Sequence, residues 1–307
     1  QELLLSNNQL TELPAELGQL SHLQQLELAN NNLATLPKEL GQLTNLSRLN
    51  VTMNRLESLP TEVGKLAKLK ELDLSANALK GLPESIGGLK GLQQLHLSQN
   101  KLTGLPQSIG GLTKLEGMVA NGNPLTSLPT SIGELQSLKG LSLEGAKLAS
   151  LPKEMGQLTK LEGLNLNENP LQSLPAQLGD MTSLKDLHLR GNQLGKLPSE
   201  IGKLANLEKL DLWGNQLTNL PEQLGDLSNL KDLNLCGNKL STLPASIGKL
   251  KNLKELDLWN NAITSLPQGM DKLTNLQGLK LQTDKLPLKE LDSFRQQLLS
   301  TQVRAPF

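Results

Sequence analysis

A leucine-proline pair recurs twelve times at one fixed interval, and this constrains the fold of the chain more than any other feature. Pro14, Pro37, Pro60, Pro83, Pro106, Pro129, Pro152, Pro175, Pro198, Pro221, Pro244 and Pro267 stand in register. The first and last are 253 residues apart, eleven steps of 23, with no insertion or deletion between them. A strict period in the range of about 20–50 residues marks a repeat architecture. In such a fold each unit contacts only its neighbours and buries its apolar face by stacking on them. The unit reads L-x-x-L-x-L-x-x-N-x-L followed by x-x-L-P-x-x-[LIVM]-G-x-L. Leu69, Leu72, Leu74, Asn77, Leu79, Leu82, Pro83, Ile86, Gly87 and Leu89 show it in full.

The L-x-L centre alternates apolar and polar residues, as a half-buried strand does. Parallel strands need a crossover of about a dozen residues, and the rest of each unit is long enough to supply it. Proline suits the first turn of a short helical segment, and the glycine after it suits the exit. Aromatic residues make up 1% of the chain and tyrosine is absent, so the core has to be built from leucine.

The pattern resembles the leucine-rich-repeat family over nearly the whole chain. The 23-residue unit with L-P-x-x-[LI]-G is similar to the Ras-suppressor-like intracellular repeats. It is also similar to the repeat domains of bacterial type III effectors, some of which precede a ubiquitin-ligase domain. The resemblance implies an α/β fold, a right-handed horseshoe solenoid with a parallel sheet on its concave side and short helical or 3-10 segments on its convex side. We expect the solenoid to cover residues 1–287 in about 13 motif copies, the first truncated. The N-terminus shows no capping unit, so Leu3, Leu5 and Leu10 should have an exposed flank, and the chain reads as a fragment of something longer. Past Pro287 the register breaks. Leu288, Leu291, Arg295 and Leu298 fall near one helical face, with Phe294 and Leu299 beside it. Residues 288–300 therefore read as a helix lidding the last repeat, or as a linker into an absent domain, with 301–307 as tail or linker.

The repeating asparagine sits where the strand turns away, and its amide can satisfy backbone groups of adjacent units. Asn8, Asn31, Asn54, Asn77, Asn100, Asn123, Asn169, Asn192, Asn215, Asn238 and Asn261 keep it, while Ala146 and Asp284 depart. One repeat before Ala146, Met118 and Ala120 replace core leucines. This predicts that residues 115–150 are the loosest part of the coil. The competing reading is neutral drift relieved by a water.

In a strand, alternate side chains face opposite ways, so the residues between and just after the leucines should line the concave surface. One column runs Glu27, Asn50, Asp73, His96, Val119, Ser142, Asn165, His188, Asp211, Asn234, Asp257 and Lys280. The next runs Ala29, Thr52, Ser75, Ser98, Asn121, Glu144, Asn167, Arg190, Trp213, Cys236, Trp259 and Gln282. The first half of these columns is small and polar, and the second gathers both tryptophans. We take His188, Arg190, Asp211, Trp213, Asn234, Cys236, Asp257 and Trp259 as the candidate partner-binding residues. Exposed Trp and Arg dominate binding hot spots, and Arg190 is placed to stack on Trp213. The competing reading makes the tryptophans incidental cover over gaps in the leucine coil.

Catalysis is weighed and rejected. Asp73, His96 and Ser98 share a face, but His96 and Ser98 are about 7 Å apart along one strand, with no pocket or oxyanion donors evident. His188 beside Asp211 reads as a surface pair, and Cys236 lies about 10 Å from His188, too far for a thiolate-imidazole pair. Three histidines and one cysteine match no zinc spacing, and no phosphate loop is present. No cofactor and no metal are expected. The 30 basic and 30 acidic residues cancel, so no broad positive field exists for nucleic acid or anionic lipid. Apolar runs such as Leu3-Leu4-Leu5 are too short to span a membrane. Cys236 is the only cysteine, which excludes an internal disulfide and argues for a reducing compartment.

The expected function is protein recognition on the concave face, by a non-enzymatic monomer. Its first setting is the targeting domain of a bacterial effector. Its alternatives are the substrate-recognition part of a ubiquitin ligase, or a cytosolic scaffold of the Ras-suppressor type. The location that follows is intracellular, including delivery by a bacterium into host cytoplasm, with a host protein as partner.

Overall fold

In a computed structural model of the chain, the described residues are 1–282, Leu286 and the backbone of Gln302–Val303. The helix expected over 288–300 and position 284 of the asparagine series lie outside them, as does the tail apart from that dipeptide. The chain divides into two compact units, Gln1–Leu148 and Ala149–Phe307.

The first unit carries three-residue strands β1 (Glu2–Leu4), β2 (Gln25–Glu27), β3 (Arg48–Asn50), β4 (Glu71–Asp73), β5 (Gln94–His96), β6 (Gly117–Val119) and β7 (Gly140–Ser142). Each pairs in parallel with the next, offset by one repeat, so that Leu3 lies opposite Leu26 and Leu26 opposite Leu49. The second unit carries β8 (Gly163–Asn165), β9 (Asp186–His188), β10 (Lys209–Asp211), β11 (Asp232–Asn234), β12 (Glu255–Asp257), β13 (Gly278–Lys280) and the two-residue β14 (Gln302–Val303). These are parallel in the same way, with Leu210 opposite Leu233 and Leu233 opposite Leu256. The fold is therefore the expected α/β arrangement of one parallel strand per repeat.

The middle residue of each strand faces the core. Leu26, Leu28, Leu33, Leu40, Leu43 and Leu46, all from one coil, have no exposed surface. Burying one such side chain is worth about 1.5–3 kcal/mol, which is why the stack needs no aromatic core. Leu3, Leu5 and Leu10 are only part-buried, as expected for the first coil, and the outward Leu4 is 64% exposed.

The return path is 3-10 helix, such as Lys38–Gln42 or Glu84–Gly88, with no α-helix among the described residues. Two details correct the sequence reading. Proline stands one residue ahead of the segment rather than in its first turn. Pro37, at φ −67° and ψ 146°, holds the chain extended and its carbonyl accepts the Leu40 N–H at 3.0 Å. The ring fixes the entry angle, and the missing proline N–H has no bond to make there. The glycine is not an exit either. Gly41 is the fourth of five residues in its segment, and a Cβ built on it would stand 2.6 Å from the Glu62 carbonyl oxygen of the next coil. Glycine is there so that successive coils can approach backbone to backbone.

The left-handed residue of each repeat lies instead just before the ladder asparagine. Gly191, Gly214 and Gly237 adopt φ of 67°, 68° and 67°, but Met53, Ala76 and Gln99 are held at 55°, 54° and 56°. The ladder itself forms as expected. Asn123 donates from Nδ2 to the carbonyls of Leu97 (2.9 Å) and Ala120 (3.0 Å), and its Oδ1 accepts the Leu102 N–H at 3.1 Å. One repeat on, Ala146 presents a methyl group. The Leu125 N–H, in a fully buried residue, finds no acceptor among the described residues.

Candidate functional site

In the second unit, three rows of side chains face away from the leucine core. The first row is Asp186, Lys209, Asp232 and Glu255, and the second is His188, Asp211, Asn234, Asp257 and Lys280. Strand register sets both, with Lys209 opposite Asp232, Asp232 opposite Glu255, and Asp211, Asn234 and Asp257 in line. The third row is Arg190, Trp213, Cys236 and Trp259. It lies past the strand ends but keeps the ladder, because Gly214 N–H donates to the Cys236 carbonyl (2.9 Å) and Gly237 N–H to that of Trp259 (2.8 Å). All eight residues singled out from sequence lie on this face, either half-buried or exposed.

The second row pins the backbone of the third. Asp211 Oδ1 accepts the Trp213 N–H (3.1 Å), Asn234 Oδ1 that of Cys236 (3.1 Å), and Asp257 Oδ1 that of Trp259 (3.0 Å). Short Asp and Asn side chains make such bonds to the amide two residues on, so both tryptophans are mounted on a fixed main chain. The Arg190 guanidinium carbon sits 4.0 Å from the centre of the Trp213 ring, and Arg190 Nε lies 3.5 Å from Glu168 Oε1. Trp259 is 39% exposed, and among the described residues no cation covers its ring.

Cys236 is half-buried between the two indoles. Burial pushes its thiol above the usual range and the Asp257 charge adds to this, while the Trp213 indole N–H, donating to the sulfur, acts the other way. Lys280 Nζ pairs with Asp257 Oδ2 at 3.0 Å, and this hydrogen bond, with its charge, raises the ammonium pKa.

Rows one and two border a shallow depression of about 320 Å³, floored by Leu210, Leu233 and Leu256 and rimmed by Lys209, Asp211, Asp232, Asn234, Glu255, Asp257, His188 and Lys280. Lys209, Asp232, Glu255 and Lys280 were not among the candidate residues. The same alternation that points Asp211 outward points Lys209, Asp232 and Glu255, each just before a leucine, outward too, and Lys280 stands in the Asp211 column itself, so the signal was present in the L-x-L motif. The tryptophans stand beside the depression rather than in its wall.

The polar groups weighed for chemistry are placed apart in function. Asp73 lies opposite His96 in β4 and β5, but its Oδ1 accepts the Ser75 N–H at 2.9 Å. Among the described residues no hydrogen bond joins Asp73 to His96 or His96 to Ser98. His188 lies opposite Asp211, and no ion pair forms between them. Among the described residues no cluster of His, Cys, Asp and Glu could hold a metal, and no helix is long and apolar enough to cross a membrane.

Comparison with known proteins follows the same lines. The profile of the family described as "Leucine-rich repeat region" matches residues 2–77, 59–172 and 222–303, and that of "Leucine Rich Repeat" matches 183–204 and 206–227. A leucine-rich-repeat protein of Leptospira interrogans is 42% identical over 96% of this chain and 76% of its own, with a TM-score of 0.88. A plant peptide hormone receptor, solved with the hormone RGF2, is 32% identical over 92% of this chain and 48% of its own, with a TM-score of 0.79. The Toll–Spatzle complex of Drosophila gives 30% identity over 94% of this chain and 40% of the other, also at 0.79. Among curated proteins none matches it in sequence.

Proposed function

Because the chain belongs to the leucine-rich-repeat family, whose fold typically serves protein–protein interaction, we propose that it holds a polypeptide partner on the outward strand face of its second unit. The anchors are Trp213 and Trp259, with His188, Arg190, Asp211, Asn234, Cys236 and Asp257 around them. The observation that carries this is the mounting of the chain's two tryptophans on backbone pinned by Asp211 and Asp257, with Trp259 left 39% exposed. A fixed aromatic anchor loses little side-chain freedom on binding, and truncating such anchors typically costs about 2 kcal/mol or more of affinity. The likeness to receptors solved with a peptide hormone and with Spatzle supports a polypeptide as ligand.

For setting, we read the chain as the targeting part of a bacterial effector that meets a host protein. The identity with the Leptospira protein supports a bacterial source. The experiment is a pull-down from host lysate with wild type beside the Trp213→Ala/Trp259→Ala variant. Captured partners should be lost from the variant while its thermal midpoint stays nearly unchanged. A large fall in midpoint would instead make the indoles cover for the leucine coil.

A further inference from the structure

On the outward face of the first unit one cation serves two carboxylates. Arg48, on β3, bridges Glu27 at 2.8 Å and Glu71 at 3.3 Å, so the carboxylates of neighbouring strands share one guanidinium. The second unit does not do this. Four carboxylates (Asp211, Asp232, Glu255, Asp257) and two lysines line its depression, and Lys280 is already committed to Asp257. Among the described residues Asp211, Asp232 and Glu255 have no ion-pair partner. Asp232 and Glu255 stand directly opposite each other in β11 and β12, with the Glu255 carboxylate laid over Gly278 of β13. Trp259 lies two residues past the end of β12, four residues after Glu255, which is about 13 Å of extended backbone.

We propose that the segment received on this face is extended and basic. It would seat an Arg or Lys side chain between Asp232 and Glu255 and rest a bulky side chain, about four residues away, on the open indole of Trp259. This deepens the binding function proposed above and rests on it. The partner's cation takes the place that Arg48 fills in the first unit. It supplies a positive charge to two carboxylates that have no ion-pair partner among the described residues, so the complex gains charge complementarity that the free protein lacks. Trp213, already covered by Arg190, stands beside the depression, and Trp259 is the surface still open to a partner.

The test uses the full chain. A displayed library of linear 12-residue peptides is selected on wild type, and the enriched sequences are synthesised. Binding is followed by intrinsic fluorescence, which reports on this site because the chain has only these two tryptophans. The expected winners carry Arg or Lys about four positions from a bulky side chain. They should lose about ten-fold or more in affinity on Asp232→Asn/Glu255→Gln, and should weaken as salt screens the pair. They should also lose binding to Trp259→Ala. The Asp232→Asn/Glu255→Gln variant should melt no lower than wild type, because neither carboxylate has an ion pair to lose among the described residues. Winners that need Trp259 but show no basic enrichment, or that ignore the charge-neutral variant, overturn this inference and leave the binding face standing. Basic winners that bind Trp259→Ala equally well overturn it too, since charge alone would then hold them. If no winner depends on either tryptophan, the binding face falls and this inference with it.

Discussion

Replacing Ala146 with asparagine should strengthen the first unit. In neighbouring coils the ladder asparagine closes three bonds. For Asn123 these run to Leu97 O, Ala120 O and from Leu102 N. The matching partners for residue 146 are Ala120 O, Leu143 O and Leu125 N, all within the first unit. Gly145 adopts φ 66°, as Gly122 does at 67° before Asn123, so the backbone already has the shape an asparagine needs. The main gain is an acceptor for the Leu125 N–H, a fully buried residue's donor with none now. Leaving such a donor unmet costs about 1–3 kcal/mol. Fixing the new side chain and desolvating its amide offset part of this, which leaves about 1 kcal/mol net. That corresponds to a rise of about 2 °C in thermal midpoint and about five-fold slower exchange of amides that open with this segment. Hydrogen exchange read by mass spectrometry over 115–148, wild type against Ala146→Asn, is the assay. Before substitution these amides should exchange faster than those of the flanking coils. Unchanged exchange together with an unchanged or lower midpoint would refute the claim that each rung contributes separately.

Three further outcomes follow from the geometry. Ala76→Gly should raise the urea midpoint, worth about 0.5–1 kcal/mol, because Ala76 is held at φ 54°, where a Cβ costs more than glycine's extra chain entropy. Gly41→Ala should cost about 1–3 kcal/mol in the same assay, since the new methyl meets the Glu62 carbonyl at 2.6 Å and backbone cannot swing aside. Alkylation of Cys236 followed against pH should give an apparent pKa above that of an ordinary thiol, so the thiolate appears only at higher pH. Asp257→Asn should lower that value part of the way, because burial is the larger cause and the Asp257 charge the second.

The strand positions, the asparagine ladder and the outward rows were legible in the sequence because each follows from a spacing. Leucines at 26 and 28 can share a buried side only if 25, 27 and 29 face away. The roles of proline and glycine were misassigned, because both residue types suit several places in a helical turn. What separates those places is the coil next door, such as the Glu62 carbonyl over Gly41, which no local pattern reveals. The left-handed site was hidden for a related reason. Asn7, Asn30, Gly122 and Gly145 occupy it in the first unit, but Met53, Ala76 and Gln99 interrupt the series, and none of these three is a residue that announces φ > 0. Which outward carboxylates find a cation was not legible either. Arg48 reaches two glutamates across strands, while Asp232 and Glu255 look no different from them in a linear reading.

Hydroxyl-radical footprinting of the protein, alone and with a bound polypeptide, tests the binding face most directly. It reads reactive side chains one by one, and Trp213, Cys236, Trp259 and His188 all lie on this face, while Met53, 57% exposed on the first unit, serves as an internal reference. Protection of the tryptophans and Cys236 with Met53 unchanged is the expected result. Tryptophans oxidised equally fast in the complex, with protection at Met53 or along the return segments, would contradict it.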